Sequence, residues 1–175
     1  YNAIALLSET LSQNARIKYR PGVGVPTFAY LPTGQLTVAS GVTLSVDPQV
    51  VLKPTISFTL FYVQGALNVI GSDNTTGRVI ITSRRDDNPI FGGDTTPTDA
   101  STPQTGDWGN FYFTDTSVDA QCKLRNILFQ FGGAGGNDGG TITTLSASPT
   151  LARLEFFQNA TAMTFAGNSQ PVVDS

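Results

Sequence analysis

The sequence predicts an all-β protein whose chain winds as a solenoid, and three observations carry that reading. Apolar residues at Leu36, Val38, Val42, Leu44, Val46, Val50 and Leu52 keep one parity within each short run, which is the period of a strand with one buried face. The connections between these runs, Ala39-Ser-Gly and Asp47-Pro-Gln, are too short for a crossover helix and are not of the Asn-Gly kind that closes a tight hairpin. A chain that bends by about a third of a turn at each such corner, and so coils, satisfies both facts. The third observation is an internal repeat: Leu124-Arg-Asn-Ile-Leu-Phe lies over Leu151-Ala-Arg-Leu-Glu-Phe at an offset of 27 or 28 residues.

Taken in order, residues 1–35 are the least regular part, punctuated by Pro21, Gly22, Gly24, Pro26, Pro32 and Gly34. Ile4, Leu7 and Leu11 suit one face of a capping helix, while Ile17, Tyr19, Phe28 and Tyr30 alternate as strands do. The strand reading is preferred. Strands then follow at 36–38, 42–46, 50–53, 57–63, 66–70 and 78–82, with Gly41, Gly65 and Gly71 at corners. Residues 84–110 are one long lateral loop rich in Asp, Thr, Pro and Gly, the length that usually marks a functional or tied-down segment. From Phe111-Tyr-Phe strands resume through 111–175, interrupted by the Gly-rich run Gly132 to Gly140. That run lacks the Gly-Lys-Ser/Thr ending of a phosphate loop.

Composition narrows the functional classes. Only 13% of the 175 residues are charged, roughly half the usual share. The 39% hydrophobic content, with 11 Phe and 5 Tyr, is ample for a core and excludes disorder. A net charge of −3 gives no electrostatic footprint for nucleic acid, and no apolar run reaches the length of a transmembrane segment. Cys122 is alone, so no intrachain disulfide forms, and its parity with Leu124 turns it inward as a small apolar residue. Histidine is absent, which removes the commonest general base and transition-metal ligand. The chain opens at Tyr1 with Met163 its one methionine, so one domain spanning 1–175 is expected to belong to a larger protein or assembly.

Two groups of residues are candidate sites. Asp86, Asp87, Asp94, Asp99 and Asp107 sit in or beside the long loop. Carboxylates with threonine and backbone oxygens there suit either a calcium ion or a hydrogen-bonded loop neutralised by Arg84 and Arg85. Trp108 and Tyr112 are candidates for stacking on a sugar ring, against the reading that Phe111 and Phe113 point inward and Trp108 covers a corner. Asn74-Thr-Thr and Asn159-Ala-Thr match the glycosylation pattern, at a frequency expected by chance in a chain this rich in Asn and Thr.

Leu36-Thr-Val-Ala-Ser-Gly-Val-Thr-Leu-Ser-Val-Asp-Pro-Gln-Val-Val-Leu-Lys resembles the opening coils of right-handed parallel β-helix proteins secreted by bacteria, the pectin-lyase-like group. Gly65-Ala-Leu-Asn-Val-Ile-Gly, Gly106-Asp-Trp-Gly-Asn-Phe-Tyr-Phe, Cys122 to Gly133 and Ser148 to Phe165 continue the likeness, over roughly residues 36 to 173. The resemblance implies a right-handed parallel β-helix, extracellular or on a cell surface, that acts as a non-catalytic structural or adhesive module. Its alternative is a carbohydrate-binding or polysaccharide-degrading domain. The pectin-degrading hydrolases of that group carry a Gly-His-Gly element, and this chain has no histidine, so no enzyme and no cofactor is expected unless the loop holds calcium. Gln170-Pro-Val-Val-Asp-Ser reads as the start of another coil without a polar cap. Flanking coils, another subunit, a partner protein or a surface polysaccharide are the partners expected, the first three at that open end.

Overall fold

The computed structural model describes residues 3–96, 102–134 and 139–174. Sixteen short strands account for almost all its regular structure: β1 (Ala3–Leu6), β2 (Glu9–Leu11), β3 (Ala15–Ile17), β4 (Ala29–Pro32), β5 (Leu36–Val38), β6 (Thr43–Val46), β7 (Val51–Leu52), β8 (Phe61–Val63), β9 (Ala66–Ile70), β10 (Val79–Ile81), β11 (Phe111–Phe113), β12 (Lys123–Gln130), β13 (Ile142–Leu145), β14 (Thr150–Phe157), β15 (Met163–Ala166) and β16 (Val172–Asp174). Short 3-10 turns at Thr75–Gly77, Pro89–Phe91 and Asp119–Gln121 interrupt them.

Every paired strand is parallel to its neighbour, and none pairs with the next strand in sequence. The ten-stranded sheet follows the path β1-β4-β7-β10-β12-β9-β6-β3, with β14 on β12 and β16 on β14. The six-stranded sheet runs β15-β13-β11-β8-β5-β2. Two arms of the larger sheet meet on β12, whose first half pairs with β9 and whose second half pairs with β10. The bend falls at Asn126, which takes the left-handed conformation (φ 51°) that asparagine tolerates better than most residues. Its amide donates to the carbonyls of Ser72 and Asn74 and so fixes the neighbouring loop to the corner.

The expectation of a right-handed parallel β-helix solenoid with an irregular N-terminal segment is corrected here to a two-sheet parallel architecture: a ten-stranded half-barrel and a six-stranded sheet around one core. The physical reason lies in β12 and β14. Each continues for eight residues, and β12 pairs with β9 through its first half and with β10 through its second, so two runs of strands join in one sheet. Residues 1–35 are also more regular than expected. Ile4 and Leu11 lie in strands registered on Tyr30 and Val38, which rules out the capping helix.

The register stacks like on like. Tyr30, Leu52, Ile81 and Phe129 form one inward column, and Val46, Val69, Leu124 and Leu151 another. In the six-stranded sheet, Leu36, Phe61, Phe111 and Ile142 do the same. All are buried in a single cluster, and each fully buried large side chain contributes roughly 1.5–3 kcal/mol. The repeat read from sequence reappears as register: Leu124 pairs with Leu151, Ile127 with Leu154 and Phe129 with Phe156. At the corner between β8 and β9 only glycine fits, since a Cβ on Gly65 would lie 2.3 Å from the carbonyl oxygens of Ala39 and Val42.

Candidate functional site

The long loop is tied down over the outward face of the ten-stranded sheet by a residue the sequence reading left without a role. Lys53 follows β7 with the parity of Val51, which points its side chain away from the main core. It is nonetheless fully buried, because the loop after β10 crosses over it. Its ammonium donates to the carbonyl oxygens of Asp86 (2.6 Å) and Gly93 (2.5 Å). Burial lowers its pKa to about 8, against the opposing pull of Asp86, Asp87 and Asp94.

Three of the acidic residues, Asp86, Asp94 and Asp107, are individually engaged. Asp86 is buried and accepts from the Thr82 hydroxyl (2.6 Å) and the Asn88 amide (3.2 Å). Asp107 accepts from the Ser83 hydroxyl (2.5 Å), the Gln104 amide (2.9 Å) and the Arg85 guanidinium (2.9 Å). Asp94 is exposed and closes a turn on the Thr96 amide (2.9 Å). Burial, with the charge of Asp94 next, pushes the Asp87 carboxyl above its ordinary value. Asp99 lies outside the described residues. Among the described residues no three His, Cys, Asp or Glu side chains gather as metal ligands. The carboxylates of Asp86, Asp94 and Asp107 already accept from protein donors, with the buried Lys53 ammonium beside them. The loop carries its own cation in Lys53.

Trp108 does not reach solvent, and its candidacy as a sugar platform is corrected. It is wholly buried, donates from Nε1 to the Gln130 carbonyl (2.7 Å), and packs on Phe129 and Phe111 with centroids 6.3 and 6.2 Å away. Gly132 permits this close approach, because a Cβ there would stand 2.5 Å from the Trp108 ring. Tyr112 is half-buried on the outward face of the six-stranded sheet, stacked on Tyr62 at 5.7 Å with the rings nearly parallel. Trp108 and Tyr112 are therefore not brought together as one surface. Cys122 is buried beside the Gly65 carbonyl, and burial pushes its thiol up, as its inward parity suggested.

Two cavities remain. One of about 560 Å³ has an aliphatic floor of Val51, Ile80 and Leu128, with Tyr19 and Phe91 among its walls. Its charged lining residue, Arg78, is held by Glu155 through two contacts of 2.8 and 2.7 Å. The other, of about 780 Å³, has Leu151, Leu154, Phe156, Met163 and Val173 on one side and the charged side chains of Asp73, Arg78, Arg153, Glu155 and Asp174 on the other. The apolar side chains continue the inward columns, yet only Leu151 is fully covered. Phe157 (51% exposed), Phe165 (43%), Val172 (62%) and Val173 (57%) are exposed on strands that have no further neighbour on one side among the described residues, and of these Val173 lines the cavity.

Chemistry is thus sparse while unpaired apolar edge is abundant. The sequence hinted at the edge through Gln170-Pro-Val-Val, but nothing in it marked Lys53. No family model, no curated protein and no solved structure matches this chain.

Proposed function

We propose that this chain is a non-catalytic structural or adhesive module of an exported or cell-surface protein, and that it holds a neighbour across the edge made by residues 154–157 of β14, β15 and β16. The exposed apolar side chains of Phe157, Phe165, Val172 and Val173 on these strands carry this reading. A row of unpaired strand groups beside exposed aromatic and aliphatic side chains is a template for further strands, and a patch of that kind marks an interaction surface. The composition, poor in charge and free of histidine, supports the non-catalytic part. The sequence likeness to exported bacterial surface proteins supports the location.

In isolation two copies are expected to cover each other's edge as a closed pair. Sedimentation velocity between about 1 and 100 μM tests this: a reversible monomer–dimer shift is expected, weakened roughly hundredfold by Val173→Lys, which places a charge among the exposed apolar side chains of the edge. A strictly monomeric wild type, or a Val173→Lys variant that associates as well as the wild type, contradicts the reading.

A further inference from the structure

We infer that the 560 Å³ cavity on the outward face of the ten-stranded sheet is a binding site for a neutral, mainly apolar ring compound that carries one hydroxyl or carbonyl group. None of the residues lining this cavity belongs to the edge proposed above, so the two sites stand or fall separately.

The register places Ala29, Val51, Ile80, Leu128 and Glu155 side by side across β4, β7, β10, β12 and β14. Ala29, Val51 and Ile80 form an apolar cluster apart from the main core, with Leu128 packed against it. The other outward file of the same sheet is the one water selects: Arg16, Ser45, Asn68, Lys123 and Thr150. Four apolar neighbours in a row on an outward face need a cover. Over Ala29 the chain supplies it, since a Cβ on Gly92 would lie 2.9 Å from the Ala29 methyl. Glu155 is taken by Arg78. Over Val51, Ile80 and Leu128 the cover is incomplete, and the cavity lies there.

Its walls are preformed. The Tyr19 hydroxyl donates to the Pro26 carbonyl (2.9 Å) and the Ile90 amide donates to Asn88 Oδ1 (3.0 Å), which ties each of the two bordering loops to itself. The volume falls in the range of roughly 300–1,000 Å³ typical of small-molecule sites, and the rings of Tyr19 and Phe91 favour a flat guest. The lining also sets the charge of that guest. Arg78 is its one charged side chain among the described residues; both terminal nitrogens are engaged by Glu155, and its Nε is buried. An anion therefore meets no available cation, and a cation meets no carboxylate. Thr27 and Thr76 are engaged as well, donating to the Arg20 carbonyl (3.1 Å) and to Asn74 Oδ1 (3.0 Å). Gln49 and Thr75 are exposed and have no side-chain partner among the described residues. One amide and one hydroxyl beside an apolar floor match a single hydroxyl or carbonyl on an apolar ring.

Methyl NMR of protein labelled at Ile, Leu and Val, titrated at neutral pH with 2-naphthol and separately with 2-naphthoate, tests the site. 2-Naphthol is expected to shift the methyls of Val51, Ile80, Ile90 and Leu128 and to bind at roughly 100 μM. 2-Naphthoate is expected to bind at least about tenfold more weakly, because its carboxylate would lose water without gaining a partner. Ile90→Glu, at an exposed wall position, is expected to abolish binding while the other methyl signals stay native. Gln49→Gly, which suits the φ of 66° there, combined with Thr75→Val is expected to weaken 2-naphthol about five- to tenfold. The site is overturned if 2-naphthol at about 1 mM leaves those four residues unmoved. It is equally overturned if a natively folded Ile90→Glu binds as well as wild type. Equal affinity for 2-naphthol and 2-naphthoate would overturn the assignment to a neutral ligand.

Discussion

Replacing Trp108 by alanine is expected to destabilise the protein by about 3–5 kcal/mol, the range for removing a large aromatic side chain from a packed core. The ring is fully buried between Phe111 and Phe129, and Gly132 presses against its other side, so little is free to collapse into the space left behind. The Gln130 carbonyl would also lose its indole donor. For a domain of this size the loss corresponds to a fall in Tm of roughly 10 °C. Trp108→Phe separates the two contributions: it keeps most of the packing and forfeits the hydrogen bond, at about 1–2 kcal/mol. Urea unfolding of the three proteins measures both steps. A Trp108→Ala variant that loses well under about 3 kcal/mol would mean that the ring is not the packed centre described here, taking the lower bound for aromatic truncation as the yardstick.

Lys53 gives the second large effect, and it depends on pH. In the unfolded chain its ammonium releases a proton near 10.5, and in the folded protein near 8. Between these values the unfolded state binds more protons, so stability rises with pH across that window. The stabilising contribution is complete above the unfolded pKa and is lost as pH falls through the folded one. By pH 9.5 the gain relative to pH 7 is expected to reach about 2 kcal/mol. Lys53→Met removes the titrating group, and its stability is expected to lack this rise. Urea unfolding of both proteins at pH 7, 8, 9 and 9.5 isolates the lysine as the difference between two curves. Parallel curves would show that the ammonium is not desolvated under the loop.

These two residues mark where the sequence was informative and where it was not. Parity within short strands is a local property, so β5 (Leu36–Val38) and β9 (Ala66–Ile70) were legible to the residue. The offset between Leu124 and Leu151 was legible for the same reason, because both runs pack identical inward columns. The bend at Asn126 was not. It depends on a polar side chain reaching Ser72 and Asn74, more than 50 residues away in sequence, and that one corner decides whether two faces remain separate. Lys53 was hidden by the same kind of dependence. Its parity marks it as exposed, and it is buried only because residues 84–96 cross over it.

Trp108 and the acidic loop each left two readings open in the sequence, and the packed one is what the fold contains. An aromatic residue next to Gly109 and a run of aspartates look like recognition elements when composition alone is weighed. In the folded chain the indole is a core residue and the carboxylates hold the loop's own backbone and side chains. The edge, by contrast, was visible early, since Pro171-Val-Val carries apolar residues in a strand pattern, and Val172 and Val173 are exposed.

Amide hydrogen exchange, read at about 1 and 100 μM, tests most directly whether the end of the two sheets is where this protein meets its neighbours. Slowing with concentration is expected in residues 154–157, 163–166 and 172–174 and nowhere else. Slowing on the Tyr62–Tyr112 face or over the loop at 84–96, with residues 163–174 unchanged, would contradict the account.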